Sequence, residues 1–342
     1  MYDKLLKLME PNKETVSFFS RMETFDKFLQ KHDLYKEIFP AMPEEPLSII
    51  WSVTGNHPEV FEYQIKSLQQ FMDKGILFPY DELIVVADKH RKHDVLETIK
   101  HISLHPKIII IDRLVPGDRP VLNWDIGMER ATYNRGLFVR DLVLFFHPYE
   151  FIRAARKIDI EDTLTNITTV LGPVWARFSD TWLYLIHPDF APNPFMFSFV
   201  APIDKMKKIN GFDRYLSRGF DHCSELDFLL RWNMAGFQYN ITDEVQVLHP
   251  GLPASQEEIE EMKFQSAIIR RYFFDRYGEE FISRLKPPYN LEAALIEVNH
   301  ALTLNPLSSI GVELQQFDSE DFKDIFSFAK IPSSRYIVEE VM

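Results

Sequence analysis

The sequence predicts an α/β domain built on a mostly parallel sheet flanked by helices, with a helical extension at each end. Two observations carry this expectation. From Leu47 onward, short β-rich runs alternate with helix-length amphipathic segments, the pattern of βαβ units. The runs themselves, such as ELIVVA and KIIIIDRL, are almost unbroken in Ile, Val and Leu, which suits strands covered on both faces.

The elements follow in order. Residues 1–45 place Phe18, Met22, Phe25, Phe28 and Leu29 at helical spacing before Pro40, Pro43 and Pro46 interrupt them, so this segment reads as a helical N-terminal extension with a stiff linker. LSIIWSV is the first strand, and a helix follows near 58–73. ELIVVA, a helix near 91–103 and KIIIIDRL come next. A helix near 122–133 leads to DLVLFF, residues 141–146, read as the next strand because Pro148 stops the run.

Beyond it the chain turns irregular and aromatic from Gly172 to Pro202, with a helix expected near 223–235 and a strand near 244–249. The stretch DIED, residues 159–162, reads as the acidic first turn of a helix. Residues from Ser255 onward read as mostly helical, punctuated by Pro287 and Pro288. The resulting division is 1–45, a domain over 46–252, and a helical tail over 253–342 packed on that domain.

Composition narrows the function classes. The 342 residues carry a formal net charge of −13, which argues against broad binding of a nucleic-acid backbone, since that needs a basic face. Cys223 is the only cysteine, so no intrachain disulfide forms, as in proteins of a reducing compartment. MYDKLLKLMEPNKET has no apolar signal core, and no uninterrupted apolar run approaches the ~18–20 residues of a membrane span. The expectation is a cytoplasmic protein without a membrane span. Aromatic residues reach 14%, with 29 Phe, enough to furnish a core, a groove or both.

In open α/β sheets, ligands bind beyond the carboxyl ends of the strands. The residues there are Val53 and Thr54 with Gly55-Asn56, then Asp88, Asp112, and His147 to Glu150. An aspartate directly after a buried strand accepts hydrogen bonds from a uracil or ribose edge, or equally caps the following helix. His90 and His93 have one-face spacing, but Lys89, Arg91 and Lys92 surround them. That cluster reads as a solvated basic turn or a phosphate contact.

Four stretches then fall in a telling order: PLSIIWSVTGNHPEVFEYQIKSLQQ, DELIVVADKHRKHDVLETIK, NWDIGMERA, and INGFDRYLSRGFDHCSELDFLLRWNMAGFQYNITDEVQVLHPG. Over roughly Pro46 to Gly251 they resemble the GT-A glycosyltransferases, in particular the family 2-like group that uses nucleotide sugars. The resemblance implies a GT-A fold, a nucleotide-diphosphate sugar as donor, and a carbohydrate or other hydroxyl-bearing acceptor. It implies nucleotide contacts from Val53, Thr54, Asp88 and Asp125, and from His147 and Tyr149 in the place of the family's Asp-x-Asp motif, which DLVLFF is expected to lead into. Imidazole and phenol are poor Mg²⁺ ligands, so three alternatives stand: Mn²⁺ or Zn²⁺ held by His147 and His249, a metal-free site neutralised by positive groups, or a silent one.

The same resemblance implies that Glu225 takes the acceptor's proton in an inverting transfer, with Asp227 at a later acidic position. Both also suit the N-terminal turn of a helix. Trp175, Asp180, Trp182 and Tyr184 fall where the family binds its acceptor, although large rings also fill cores. A catalytically silent module that binds a nucleotide, a glycan or a protein partner is the alternative to a transferase. A nucleotidyltransferase is disfavoured by the lack of a glycine-rich, lysine-containing phosphate loop.

Overall fold

The computed structural model describes residues 45–55, 57–72, 81–100, 102, 106–113, 120–145, 148–171, 196–212, 225, 228–229, 231–232, 235–249 and 336–341. Within these, β1 is Ser48–Val53, α1 Pro58–Met72, β2 Glu82–Asp88, and a 3-10 turn at Lys89–Arg91 leads into α2, Lys92–Ile99. Then come β3 Lys107–Arg113, α3 Pro120–Arg130, β4 Arg135–Arg140, β5 Leu144–Phe145 and α4 Pro148–Lys157. The remaining elements are β6 Thr163–Leu171, β7 Ser198–Pro202, α5 Ile203–Lys208, β8 Gln238–His249 and β9 Tyr336–Val341.

The described strands form one sheet in the order β5-β8-β6-β7-β4-β1-β2-β3-β9. The block β3-β2-β1-β4 is parallel throughout, as the unbroken aliphatic runs suggested. Outside it the sheet is mixed: β7 is antiparallel to both β4 and β6, β6 and β8 are parallel, and β5 and β9 close the two edges antiparallel.

Both faces of the parallel block are buried, and the period of two along β1 sorts its side chains. Ile49, Trp51 and Val53 join Phe61, Ile65 and Leu68 of α1 in one core. Trp51 meets Phe61 edge-on at 6.3 Å, and its indole N–H donates to Gln64 Oε1 at 3.1 Å. Gln64 in turn donates to the carbonyls of Arg140 and Val143, tying α1 to the end of β4. On the opposite face α3 lies close over the strands at Gly127, where an added Cβ would come within 2.4 Å of Ile50 Cγ2. Trp124 of α3 donates to the Val139 carbonyl at 3.1 Å and packs on Phe199 at 5.3 Å.

The structure corrects the sequence reading in three places. Residues 135–140, which showed no strand signal beyond the four apolar residues of GLFV, form β4, the strand that pairs with β1. DLVLFF is therefore not the next parallel strand. Asp141 and Leu142 make a turn, and only Leu144 and Phe145 pair, antiparallel to β8 at the sheet edge. DIED does not open a helix either; LTNITTVL belongs to β6, and the helix of this region is α4, which starts at Pro148, a residue suited to a first helical turn because its missing N–H is not needed there.

The buried Arg156 of α4 pairs with Asp81 just before β2 and donates to the Glu45 carbonyl before β1, which holds α4 to the amino-terminal edge of the sheet. The helical reading of 1–44 and of 253–335 lies outside the described residues. The chain's last stretch is a strand: β9 covers the β3 edge, with ion pairs Arg130–Glu340 at 2.7 Å and Lys92–Glu339 at 2.6 Å. Among the described residues no helix is long and apolar enough to cross a membrane.

Candidate functional site

The strand order places a switch point between β1 and β4. From β1 the chain winds outward through β2 and β3, then returns to the other side of β1 as β4. Diverging connections leave a crevice at the carboxyl ends of such a pair. Thr54 and Gly55 leave β1 there, Asp88 ends β2, and Arg140 ends β4 with Asp141 after it. His249 ends β8 at the same side of the sheet, because two antiparallel steps and one parallel step return β8 to the direction of β4.

Asp141 organises the crevice. Its Oδ2 accepts the backbone N–H of Thr54 at 3.1 Å and of Gly55 at 2.9 Å, and Nη1 of Arg91 at 3.4 Å. Arg91 also donates to the Gly55 carbonyl and, through Nε, to Asp94 at 3.3 Å. Gly55 fits because a Cβ there would lie 2.8 Å from Leu142 Cδ2. Both charged side chains are buried, Arg91 at 2% and Asp141 at 0% side-chain exposure. Burial pushes the Asp141 carboxyl above its ordinary value, against the pull of Arg91 and Arg140 and of the two N–H donors.

Ser52, Asp88 and Arg140 share the sheet face that α3 covers. Ser52 is in register with Val86 on one side and Arg140 on the other, and Asp88 stands two residues beyond Val86. Three buried polar atoms around this point have no hydrogen-bond partner among the described residues: Ser52 Oγ, Arg91 Nη2 and Asp141 Oδ1. Arg140 reaches over the Phe197 ring, 5.4 Å from its centroid, and Phe197 packs on His249 at 4.5 Å. His249 is buried, and that burial, followed by the Arg140 charge, holds its imidazole neutral, well below its ordinary range.

The residues expected from sequence separate into several groups. Thr54 and Asp88 are brought together on neighbouring strand ends, both buried. Asp88 makes no capping bond to the turn that follows, so it is not the helix cap that its position also allowed; its Oδ1 lies 3.5 Å from Nδ2 of Asn123, which also donates to the Val86 carbonyl at 2.9 Å. Val53, by contrast, turns to the α1 side and belongs to the core. Asp125 is buried in α3 and accepts the Phe212 N–H at 3.2 Å. It holds the turn at Gly211, where φ is +60° and a Cβ would stand 2.0 Å from Asp125 Oδ1.

Tyr149 belongs to α4 by its backbone, and His147 lies outside the described residues. The strand leading into the crevice is β4, and the residues that follow its last pairing with β1 are Arg140, Asp141 and Leu142. β5 runs opposite to β8, away from the strand-end side. Glu225 is helical and half-buried, while Asp227, Trp175, Asp180, Trp182 and Tyr184 lie outside the described residues. Arg231 donates to the Ile209 carbonyl at 2.7 Å.

A divalent metal does not fit the described strand ends. Asp141 is the only carboxylate in that three-residue stretch, and its Oδ2 already serves two N–H groups and a guanidinium. Among the described residues no cluster of three His, Cys, Asp or Glu is able to hold an ion. Sequence reasoning placed Arg91 in a cluster that reads as a solvated basic turn or a phosphate contact, and it did not single out Arg140.

No family model matches the chain, and no curated protein matches it. Among solved structures, it is similar to a mannosyltransferase, PcManGT, from Pyrobaculum calidifontis in complex with GDP-Man and Mn²⁺, at 10% identity and a TM-score of 0.49, covering 94% of this chain and 91% of that one. It is also similar to S. aureus TarS 1-349 in complex with UDP, at 12% identity and a TM-score of 0.44 over 83% of this chain and 78% of that one. The complex of the same TarS segment with UDP-GlcNAc gives 13% identity and 0.44 over 79% and 76%. At such values the activity of this chain has to be argued from its own residues.

Proposed function

We propose that the protein is a glycosyltransferase of GT-A type that takes a nucleotide-diphosphate sugar and transfers its sugar, with inversion, to a carbohydrate or other hydroxyl acceptor. The observation that carries this reading is the placement of Thr54 and Asp88, both buried, at the ends of the adjacent parallel strands β1 and β2 beside the switch point. A buried carboxylate beside Asn123 supplies acceptor and donor groups suited to a base or ribose edge. The ordered motifs from Pro46 to Gly251 supply the donor class.

In the proposed transfer the acceptor oxygen attacks the anomeric carbon, its proton passes to the Glu225 carboxylate, and the bond from that carbon to the diphosphate oxygen breaks as the diphosphate leaves. Asp227 and the aromatic stretch with Trp175, Asp180, Trp182 and Tyr184 line the acceptor side in this reading. His147 and Tyr149, standing where the resemblance expects acids, favour a second reading, a silent module that binds the nucleotide without turnover.

Calorimetry with a panel of nucleoside diphosphates tests binding. The native protein binds one of them and Asp88→Ala weakens it about tenfold or more, the scale of a hydrogen bond to a charged group. The absence of heat across the panel, with and without Mn²⁺, removes the proposal. Donor hydrolysis or transfer lost in Glu225→Gln, with nucleotide affinity kept, separates the transferase from the silent module.

A further inference from the structure

We infer that the diphosphate of the donor is neutralised by the Arg140 guanidinium, supported by Arg91, and that this site binds its nucleotide without a divalent cation. The inference rests on the nucleotide-sugar reading above and goes beyond it by naming what balances the phosphate charge.

Arg140 is the last residue of the strand that bounds the switch point, on the face shared with Ser52 and Asp88, and it is 8% exposed. Its guanidinium stands over the Phe197 ring, which packs on His249 at the end of β8, and the residue after it, Asp141, holds the turn after β1. A cation is therefore fixed where a departing diphosphate needs one. Arginine is suited to the task because its planar fork offers paired N–H donors to phosphate oxygens and stays charged when buried. The Phe197 ring beneath it limits its movement.

Burial of such charge is costly unless it is paired and hydrogen-bonded. Around the ends of β1, β2 and β4 the described surroundings leave two donors without partners, Nη2 of Arg91, 2% exposed, and Oγ of Ser52, fully buried and in register with Arg140, beside the acceptor Oδ1 of Asp141. Both are donors, and an anion with several acceptor oxygens satisfies donors. A metal ion does the opposite. It requires several free carboxylate oxygens, and Asp141 offers one, Oδ1, since its Oδ2 already serves Thr54, Gly55 and Arg91.

The test compares nucleotide affinities on the full chain. UDP and GDP are titrated into native protein in EDTA and again in Mn²⁺, and the parent nucleosides uridine and guanosine are titrated alongside. The expected result is equal diphosphate affinity in the two buffers. Arg140→Met then loses at least about tenfold in diphosphate affinity, Arg140→Lys recovers part of it, and nucleoside affinity is unchanged in both. Diphosphate binding that vanishes in EDTA and returns with Mn²⁺ overturns the inference while leaving the proposed function in place. Equal affinity of native protein and Arg140→Met for the diphosphate also overturns it. Failure of every nucleotide to bind in either buffer removes both. Since the EDTA comparison uses unaltered protein, the outcome does not depend on the variants folding.

Discussion

The Asp141 carboxylate accepts the Gly55 N–H at 2.9 Å across the switch point, so the turn after β1 is held by the residue that follows β4. A polar group buried this deeply has to be replaced with care. Asp141→Ala leaves the Thr54 and Gly55 N–H groups and Arg91 Nη1 short of an acceptor, and a loss of roughly 3–5 kcal/mol is expected. Asp141→Asn retains an acceptor oxygen but turns an amide toward Arg91, for about 1–3 kcal/mol. Urea unfolding followed by tryptophan fluorescence measures both, and an unchanged midpoint for Asp141→Ala refutes this account of the turn.

His249 predicts a pH dependence of stability. Its folded-state pKa lies below the ordinary 6.5, through burial first and the Arg140 charge second. Below 6.5 the unfolded chain takes up a proton that the folded protein does not, so stability falls as pH drops from 6.5 toward the folded value. Asp141, whose carboxyl is pushed above its ordinary 3.8, contributes in the opposite sense: stability falls as pH rises through its folded value. Substituting His249→Phe should flatten the stability profile just below pH 6.5 while leaving the Asp141 contribution. An identical slope in native protein and variant over that window contradicts the assignment.

Gly127 sets how closely α3 approaches β1. Alanine is the better helix former by about 1 kcal/mol, yet here its Cβ would press within 2.4 Å of Ile50 Cγ2. Gly127→Ala is expected to destabilise by about 1–3 kcal/mol through overpacking. In the double variant with Ile50→Ala the combined loss should be smaller than the sum of the single losses, since each change relieves the other. Additive losses in thermal unfolding count against direct contact.

Removing Tyr336–Val341 uncovers the edge of β3, whose KIIIIDR run then offers unpaired N–H and C=O groups. The truncated chain should self-associate at concentrations where the full chain does not, and light scattering reads this directly. A truncated protein that stays monodisperse, with an unchanged melting temperature, shows that β9 does not protect this edge.

The parallel block was legible because burial on both faces leaves a one-dimensional mark: LSIIWSV, ELIVVA and KIIIIDRL carry aliphatic residues at successive positions, and each is followed by a helical segment. Thr54 and Asp88 were legible for a related reason, since in a parallel sheet the residue after each strand falls at the binding edge whatever the rest of the chain does. β4 was not legible, because GLFV is short and flanked by arginines, and the longer DLVLFF next to it looked more like a strand. What decided between them was pairing: β1 has a free side for one strand, and Gly136 to Arg140 take it in register with Ser48 to Ser52. That choice brought Arg140 to the crevice and placed Asp141 against Gly55. Sequence by itself determined the strand ends that face the crevice. Tertiary structure decided which charges meet there, because residues 36 to 87 positions apart approach only once the sheet order brings β1, β2 and β4 side by side.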